Sequence, residues 1–126
     1  MAAKILLVED ETYTRELYDD LLKEEGYDVV AVADGEAALT EADKGGFDLL
    51  LVDIIMPKKD GLGFLKDYQA IKAQNPNAKI VMLTVLGEDA IIKSCLELGA
   101  VGYLLKSELT PDQVLAEVKN YLTKPV

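Results

Sequence analysis

Five short apolar runs that alternate with segments of helical spacing constrain the fold of this chain more than any other feature. The runs cover residues 5–8, 29–32, 49–52, 80–83 and 103–105, and each has the length of one buried strand. Strands that alternate with helices are joined by right-handed crossovers, which produces a parallel sheet with helices on both faces. The pattern therefore predicts an α/β fold with a doubly wound, five-stranded parallel sheet.

The four segments between the runs and the segment after the last run predict five helices, and three of these carry clear end signals. Apolar residues over 64–71 define the third helix, which Asn-Pro at residues 75–76 is expected to end. Gly99 is expected to end the fourth helix. The fifth begins with Thr-Pro-Asp-Gln at residues 110–113, which combines an N-cap threonine, a proline at the first helical position and a glutamine placed for a capping box.

The length of the chain fits a single domain. Its 126 residues contain no linker, repeat or low-complexity tract, and a domain of this size buries roughly two-thirds of the surface of its unfolded chain. We therefore expect one domain over residues 1–126, without an effector domain.

The composition narrows the classes of partner. A net charge of −10 repels phosphate backbones and anionic lipid, so no direct binding to nucleic acid or to a membrane is expected, whereas cations are attracted.

Only four aliphatic residues separate Lys4 from Glu9, too few for a signal peptide or a membrane span, which predicts a cytoplasmic protein. The single cysteine, Cys95, is expected to be a buried core residue. Because the chain has no histidine, any catalysis must use carboxylates, hydroxyl groups or lysine.

Polar residues directly follow four of the five predicted strands. Glu9 and Asp10 follow the first, Asp53 the third, Thr84 the fourth and Lys106 the fifth. Taken singly, such residues are more often helix caps or solvated loop residues. In the flavodoxin-like strand order 2-1-3-4-5, however, these four strands lie side by side, and sites form at the carboxyl ends of such strands. The five side chains are therefore expected to converge.

Together these side chains have the chemistry of a phosphoryl-transfer site. Three carboxylates at one place repel one another unless a cation joins them, and their hard oxygen ligands suit Mg²⁺. A metal ion and the ammonium of Lys106 would neutralise phosphoryl oxygens, and the Thr84 hydroxyl could donate a hydrogen bond to one of them. One carboxylate, left exposed, could then act as the nucleophile and form an aspartyl phosphate.

Four parts of the sequence resemble the response-regulator receiver domains of two-component signalling. They are residues 8–11 (Val-Glu-Asp-Glu), residues 53–61 (Asp-Ile-Ile-Met-Pro-Lys-Lys-Asp-Gly), Thr84, and residues 102–106 (Gly-Tyr-Leu-Leu-Lys). The resemblance covers essentially the whole chain. It implies a stand-alone receiver of the chemotaxis-regulator type, which acts as a signalling switch controlled by phosphorylation.

The resemblance also implies a role for each matched residue of the acidic site. Asp53 corresponds to the phosphorylated aspartate. Glu9 and Asp10 correspond to the acidic pair that holds Mg²⁺ together with Asp53 and the backbone carbonyl of Ile55. Lys106 corresponds to the lysine that pairs with the phosphoryl group.

Thr84 and Tyr103 correspond to the switch pair of the family. On phosphorylation, Thr84 would move toward a phosphoryl oxygen, and the ring of Tyr103 would turn inward to fill the space. The surface that changes would be the one formed by the fourth helix, the fifth strand and the fifth helix. Without that resemblance, Tyr103 would be a half-buried strand aromatic, which is compatible with the switch role.

Two departures from the family pattern lead to further expectations. Ser107 follows Lys106 where the family usually has a proline, often after a cis bond. A cis bond before a residue other than proline costs about 2.5–4 kcal/mol, so we expect a trans bond here. Ile55 and Leu86 stand at positions that influence how water reaches the aspartyl phosphate. Both are apolar and cannot orient a water molecule, which predicts slow self-dephosphorylation.

The resemblance implies a sensor histidine kinase or a histidine phosphotransfer protein as phosphodonor, and an unidentified protein downstream. The receiver would be a monomer or a phosphorylation-induced homodimer. It would catalyse its own phosphotransfer without being a conventional enzyme.

Three alternatives stay open: a receiver domain cut from a longer DNA-binding regulator, a metal-dependent phosphatase and a flavin-binding module. The phosphatase is disfavoured because Ile55 stands where a second acid would transfer a proton. The flavin module is disfavoured because acids at residues 9–11 replace the loop that would cradle a phosphate after the first strand.

Overall fold

The computed structural model describes residues 2–85 and 87–124, and these form one parallel sheet with helices on both faces. The sheet has the order β2-β1-β3-β4-β5, which confirms the predicted doubly wound fold. Its strands are β1 (Lys4–Val8), β2 (Asp28–Val32), β3 (Leu49–Val52), β4 (Lys79–Thr84) and β5 (Ala100–Leu105).

Five α-helices connect and follow the strands in the described ranges. They are α1 (Thr12–Glu24), α2 (Gly35–Asp43), α3 (Gly61–Tyr68), α4 (Asp89–Glu97) and α5 (Pro111–Thr123), with a short 3₁₀ helix at Lys72–Gln74. The predicted capping box of α5 is present, because the Thr110 hydroxyl and the Gln113 side chain each accept the other residue's backbone N–H. Gly99 ends α4 in a left-handed conformation, with φ of 106°.

The third helix is shorter than its apolar pattern predicts. It ends at Tyr68, so Ile71 lies outside it. The reason is that the backbone N–H groups of Ala70 and Ile71 donate to carbonyls three residues back, which tightens the chain into 3₁₀ geometry. Ile71 still packs against the core. The periodicity therefore indicated burial correctly and helix geometry incorrectly.

The fifth strand is longer than predicted and contains a bulge. It begins at Ala100, three residues before the expected start. Ala100 pairs with Ile80, but the next pair joins Val81 to Gly102, so Val101 is an extra residue in the ladder. Alternation read from the sequence assumes a period of two without interruption, and a bulge violates that assumption.

Two apolar layers cover the sheet. Leu6, Leu50 and Met82 belong to the layer beneath α2, α3 and α4. Leu7 and Leu51 point to the opposite face and belong to the layer beneath α1 and α5. The central strand β3 is fully buried on both faces, which explains its uninterrupted apolar sequence. Cys95 is 1% exposed in the first layer, as expected.

Candidate functional site

Three carboxylates meet at the carboxyl edge of the sheet. Glu9 and Asp10 follow β1, and Asp53 follows β3, which is the neighbour of β1. One carboxylate oxygen from each residue lies within 4.8 Å of the others. Glu9 and Asp53 are buried, at 2% and 7% exposure, whereas Asp10 is exposed. The cluster is therefore enclosed on the core side and open to solvent at Asp10.

Lys106 reaches the same cluster from the end of β5. Its backbone N–H donates to the carbonyl of Thr84 at 2.8 Å, which holds the residue beside β4. Its Nζ contacts Oε1 of Glu9 and lies 3.2 Å from Oδ2 of Asp53. One ammonium thus bridges two buried carboxylates that belong to different strands.

The pKa values of this pair reflect burial and opposite charge. Burial raises the pKa of the Glu9 carboxyl, although the hydrogen bond from Lys106 acts in the opposite direction. Burial alone would lower the pKa of Lys106, but the hydrogen bond to Glu9 and the charge of Asp53 outweigh burial and raise that pKa. Lys106 therefore remains a cation at neutral pH. It offsets only part of the charge of three carboxylates, so the donor set suits a divalent cation with a preference for oxygen ligands.

Asp53 is held firmly and is less exposed than the sequence suggested for a nucleophile. Its backbone N–H donates to the carbonyl of Val8 at 3.0 Å, and its Oδ1 accepts the N–H of Ile54 at 2.7 Å. The second oxygen faces Lys106. The side chain is buried because these partners surround it at the strand end, and they satisfy both of its oxygens.

The loop after Asp53 packs tightly against its surroundings. The N–H of Gly61 donates to the carbonyl of Ile54 at 2.8 Å, and a Cβ on Gly61 would lie 2.4 Å from the carbonyl oxygen of Asp53. Asp60 caps α3 by accepting the N–H of Gly63 at 2.8 Å. Lys58 adopts a left-handed conformation, with φ of 64°. The Asp-Gly pair at residues 60–61 therefore shapes the loop and starts the helix.

Thr84 and Tyr103 lie on neighbouring strands at the same edge. Thr84 is fully buried at the end of β4, and Tyr103 is 43% exposed on β5. Tyr103 pairs with Met82, which is two residues before Thr84 on β4. Residues two apart on a strand share a face, so the two predicted switch residues belong to one face of the sheet.

The remaining predicted positions have different outcomes. The Lys106–Ser107 bond is trans, as expected, and the described ranges contain no cis peptide bond. The side chain of Ile55 is 52% exposed, two residues after Asp53. The ligand role of the Ile55 carbonyl stays a prediction, and Leu86 lies outside the described residues.

The sequence pattern did not predict the structural roles of Arg15 and Glu11, two residues that shape the acidic loop. Arg15 Nη1 donates to the carbonyls of Glu9 at 3.0 Å and Asp10 at 3.1 Å. The Glu11 carboxylate caps α1 by accepting the N–H groups of Tyr13 and Thr14, each at 3.0 Å. The hydrogen bond from the Thr14 side chain lowers the pKa of Glu11. Glutamate is not a typical N-cap residue, so the residue type at position 11 does not predict the cap. For Arg15, the one sequence signal was that it is the single arginine of the chain.

Residues 2–85 and 87–124 include no helix with both the length and the apolar character that crossing a membrane requires.

Comparison with known sequences identifies the family. The family model described as "Response regulator receiver domain" matches residues 5–126. The chain is 32% identical over 123 residues to the chemotaxis protein CheY of Bacillus subtilis, which covers 97% of this chain and 99% of that protein. It is 38% identical over 124 residues to the alkaline phosphatase synthesis transcriptional regulatory protein PhoP of the same organism, which covers 98% of this chain and 50% of PhoP. The chain thus spans about half the length of the curated transcriptional regulators that it matches.

Solved structures agree with the sequence comparison. The chemotaxis response regulator CheY4 of Vibrio cholerae has a TM-score of 0.86 at 30% identity, covering 96% of this chain and 99% of that one. A CheX–CheY–BeF₃–Mg²⁺ complex from Borrelia burgdorferi gives a TM-score of 0.83 at 30% identity, covering 97% of this chain and 90% of that one. Receiver domains bind Mg²⁺ at an acidic pocket and act in phosphorylation-based signalling rather than as conventional enzymes. This chain belongs to the response-regulator receiver domains of two-component systems.

Proposed function

We propose that this chain is a phosphorylation-controlled switch in which Asp53 accepts a phosphoryl group. The observation that carries the proposal is the convergence of Asp53, Glu9, Asp10 and Lys106 at one edge of the sheet. The donor would be the phosphohistidine of a sensor kinase or of a histidine phosphotransfer protein. Membership of the receiver family supports this class of donor.

The acidic cluster would hold Mg²⁺. Its donors would be the carboxylates of Glu9, Asp10 and Asp53, with the backbone carbonyl of Ile55. The fit rests on three carboxylate oxygens within 4.8 Å of one another and on the single ammonium that, among the described residues, bridges the buried pair. When bound, the ion supplies positive charge that neutralises phosphoryl oxygens.

Asp53 and Lys106 would carry out the transfer. A lone pair of an Asp53 carboxylate oxygen forms the new O–P bond while the N–P bond of the phosphohistidine breaks, and that electron pair remains on the imidazole nitrogen. Lys106 Nζ, now 3.2 Å from Asp53 Oδ2, would pair with the phosphoryl group. The burial of Asp53 limits the approach of water to the product.

Thr84 and Tyr103 would transmit the change. Thr84 would donate a hydrogen bond to a phosphoryl oxygen, and the exposed ring of Tyr103 would turn toward the space that Thr84 leaves. Their shared face and adjacent strands support this coupling. The α4–β5–α5 surface would then change its affinity for a downstream protein or for a second copy of this chain.

A second candidate organisation is favoured by the length of the relatives. Because this chain spans about half of the matched transcriptional regulators, the same receiver could control a DNA-binding effector domain. The other candidate organisation is a single receiver domain without an effector. It is favoured by the match to CheY of Bacillus subtilis, which covers 99% of that protein. The coding sequence downstream of Val126 distinguishes the two.

The test of the proposed function is the intact mass of the protein after incubation with Mg²⁺ and acetyl phosphate. Wild type should gain one phosphoryl group, and Asp53→Asn should gain none. Asp20→Asn, which removes an exposed acid elsewhere on α1, is the matched control and should react like wild type. Modification of both wild type and Asp53→Asn, or of neither, would contradict the assignment.

A further inference from the structure

Arg15 connects the first turns of α1 to the loop that carries the acidic pair. It is the fourth residue of the helix, and helical side chains lean toward the helix N-terminus, so this position covers the preceding loop. One nitrogen, Nη1, donates to the backbone carbonyls of Glu9 at 3.0 Å and Asp10 at 3.1 Å. These are the two residues whose carboxylates meet Asp53.

The helix itself does not account for a cation at this position. A helix N-terminus carries a partial positive charge and favours anions, and the Glu11 carboxylate already supplies one as the N-cap. Arg15 therefore opposes the helix dipole, and the hydrogen bonds that the structure shows for its side chain are those with the loop.

The acceptors of Arg15 are backbone carbonyls, which distinguishes it from Lys106. Among the described residues, every carboxylate ion pair is made by a lysine. Arg15 thus restrains the backbone of Glu9 and Asp10 without occupying the carboxylate oxygens that a cation needs. Its guanidinium is permanently charged, so this restraint persists at any pH at which the protein is folded.

We propose that Arg15 is a positioning residue that fixes the backbone of Glu9 and Asp10 and so preorganises their carboxylates for a divalent cation. The inference rests on the proposed function, because it concerns the cation site of that function. Groups that orient metal ligands from outside typically change metal affinity by about 10–100-fold when they are removed.

The experiment compares Mg²⁺ affinity by titration calorimetry in the absence of any phosphodonor. Arg15→Met keeps an unbranched side chain with good helix propensity and should weaken Mg²⁺ binding about tenfold, the low end of that range. Lys23→Met is the matched control, because it removes the same charge from the last turn of the same helix. Its affinity should equal that of wild type. Arg15→Lys keeps the charge and can still donate a hydrogen bond, so its Mg²⁺ affinity should lie between those of wild type and Arg15→Met.

A second readout separates positioning from a general structural defect. At saturating Mg²⁺, Arg15→Met should be phosphorylated by acetyl phosphate at close to the wild-type rate, because only cation affinity has been lost. Equal affinities for Arg15→Met and Lys23→Met would overturn the proposal, as would a rate defect that Mg²⁺ does not correct. If Arg15→Met does not fold, Arg15→Gln provides the same comparison with the same deciding outcomes. Failure of wild type to bind Mg²⁺ would instead overturn the proposed function.

Discussion

Ile55 is an apolar residue two positions after the proposed phosphoacceptor. Its side chain is 52% exposed and offers no hydrogen bond to orient a water molecule. We expect Ile55→Asn to speed the loss of the phosphoryl group about tenfold, well below the ~10²–10⁴-fold of a full general base. The decay of phosphorylated protein, followed by intact mass, measures this.

Ile55→Leu is the matched control and should decay at the wild-type rate. Adding Leu86→Glu to Ile55→Asn should shorten the lifetime further. An unchanged decay rate in the double variant would show that these positions do not govern the lifetime.

Lys58 is the residue at which the backbone of the loop is strained. Its φ of 64° is unfavourable for residues with a Cβ and most unfavourable for β-branched ones. Lys58→Val should therefore lower the free energy of unfolding by about 1 kcal/mol or more. The ion pair with Asp34, at 3.7 Å and largely exposed on the lysine side, contributes little to this loss.

Lys58→Gly separates backbone strain from loss of the side chain. Glycine relieves the strain but gains entropy in the unfolded chain, and the two effects of about 1 kcal/mol each nearly cancel. The free energy of unfolding of Lys58→Gly, measured with urea, should thus be close to that of wild type. If valine and glycine at position 58 were equally destabilising, the lost ion pair rather than the φ angle would be responsible.

Among the helices, α5 has the most complete N-terminal cap. The reciprocal bonds between Thr110 and Gln113 are 3.3 and 2.9 Å long, and Pro111 begins the helix. Thr110→Ala should lower the free energy of unfolding by about 1 kcal/mol, because an orphan N–H of the first turn loses its acceptor. Thermal unfolding followed by circular dichroism measures the change.

Thr123→Ala is the same substitution at the other end of α5. The Thr123 hydroxyl donates to the carbonyl of Lys119 at 2.9 Å, a local bond that adds little in an exposed helix. The free energy of unfolding of this variant should equal that of wild type or exceed it slightly, because alanine is the better helix former. Equal losses at both ends would argue against a specific role for the cap.

The elements show which parts of the structure the sequence could predict. The parallel sheet with helices on both faces followed from the apolar runs. The convergence of Asp53 and Lys106 followed from the polar residues at the strand ends together with the flavodoxin-like strand order 2-1-3-4-5. The end of α3 and the start of β5 could not be predicted in this way. Hydrophobic periodicity indicates which residues are buried, but it does not indicate a 3₁₀ turn or a bulge. The role of Arg15 could not be predicted either, because its partners are backbone carbonyls. Every residue has a backbone carbonyl, so the residue types do not show which ones accept a hydrogen bond.

The whole molecule carries a net charge of −10 and concentrates three acids at one edge of its sheet. A cation that binds only the folded state stabilises it, by about 2.7 kcal/mol at a free concentration one hundred times the Kd. For a domain of this length each kcal/mol corresponds to roughly 3–5 °C. We therefore expect Mg²⁺ to raise the Tm by about 10 °C and a chelator to reverse the gain.

Asp10→Asn should lose most of this Mg²⁺-dependent gain, because it removes one carboxylate of the cluster. Asp20→Asn removes the same charge elsewhere on the surface and should keep the full gain. Sodium chloride at equal ionic strength controls for screening of the net charge. If all three proteins gained equally, the stabilisation would be nonspecific.

The bulge in β5 means that this strand contains one residue more than its neighbour requires. Val101 is 51% exposed and has no partner position of its own on β4. Deleting Val101 would leave a regular strand in which Ala100 and Tyr103 keep their partners, so we expect a folded protein that is still phosphorylated. Deleting Leu51 from β3 would reverse the faces of the residues that follow, Asp53 included, and should abolish folding. We therefore expect the chain to tolerate a change of length at Val101 without a shift of Lys106.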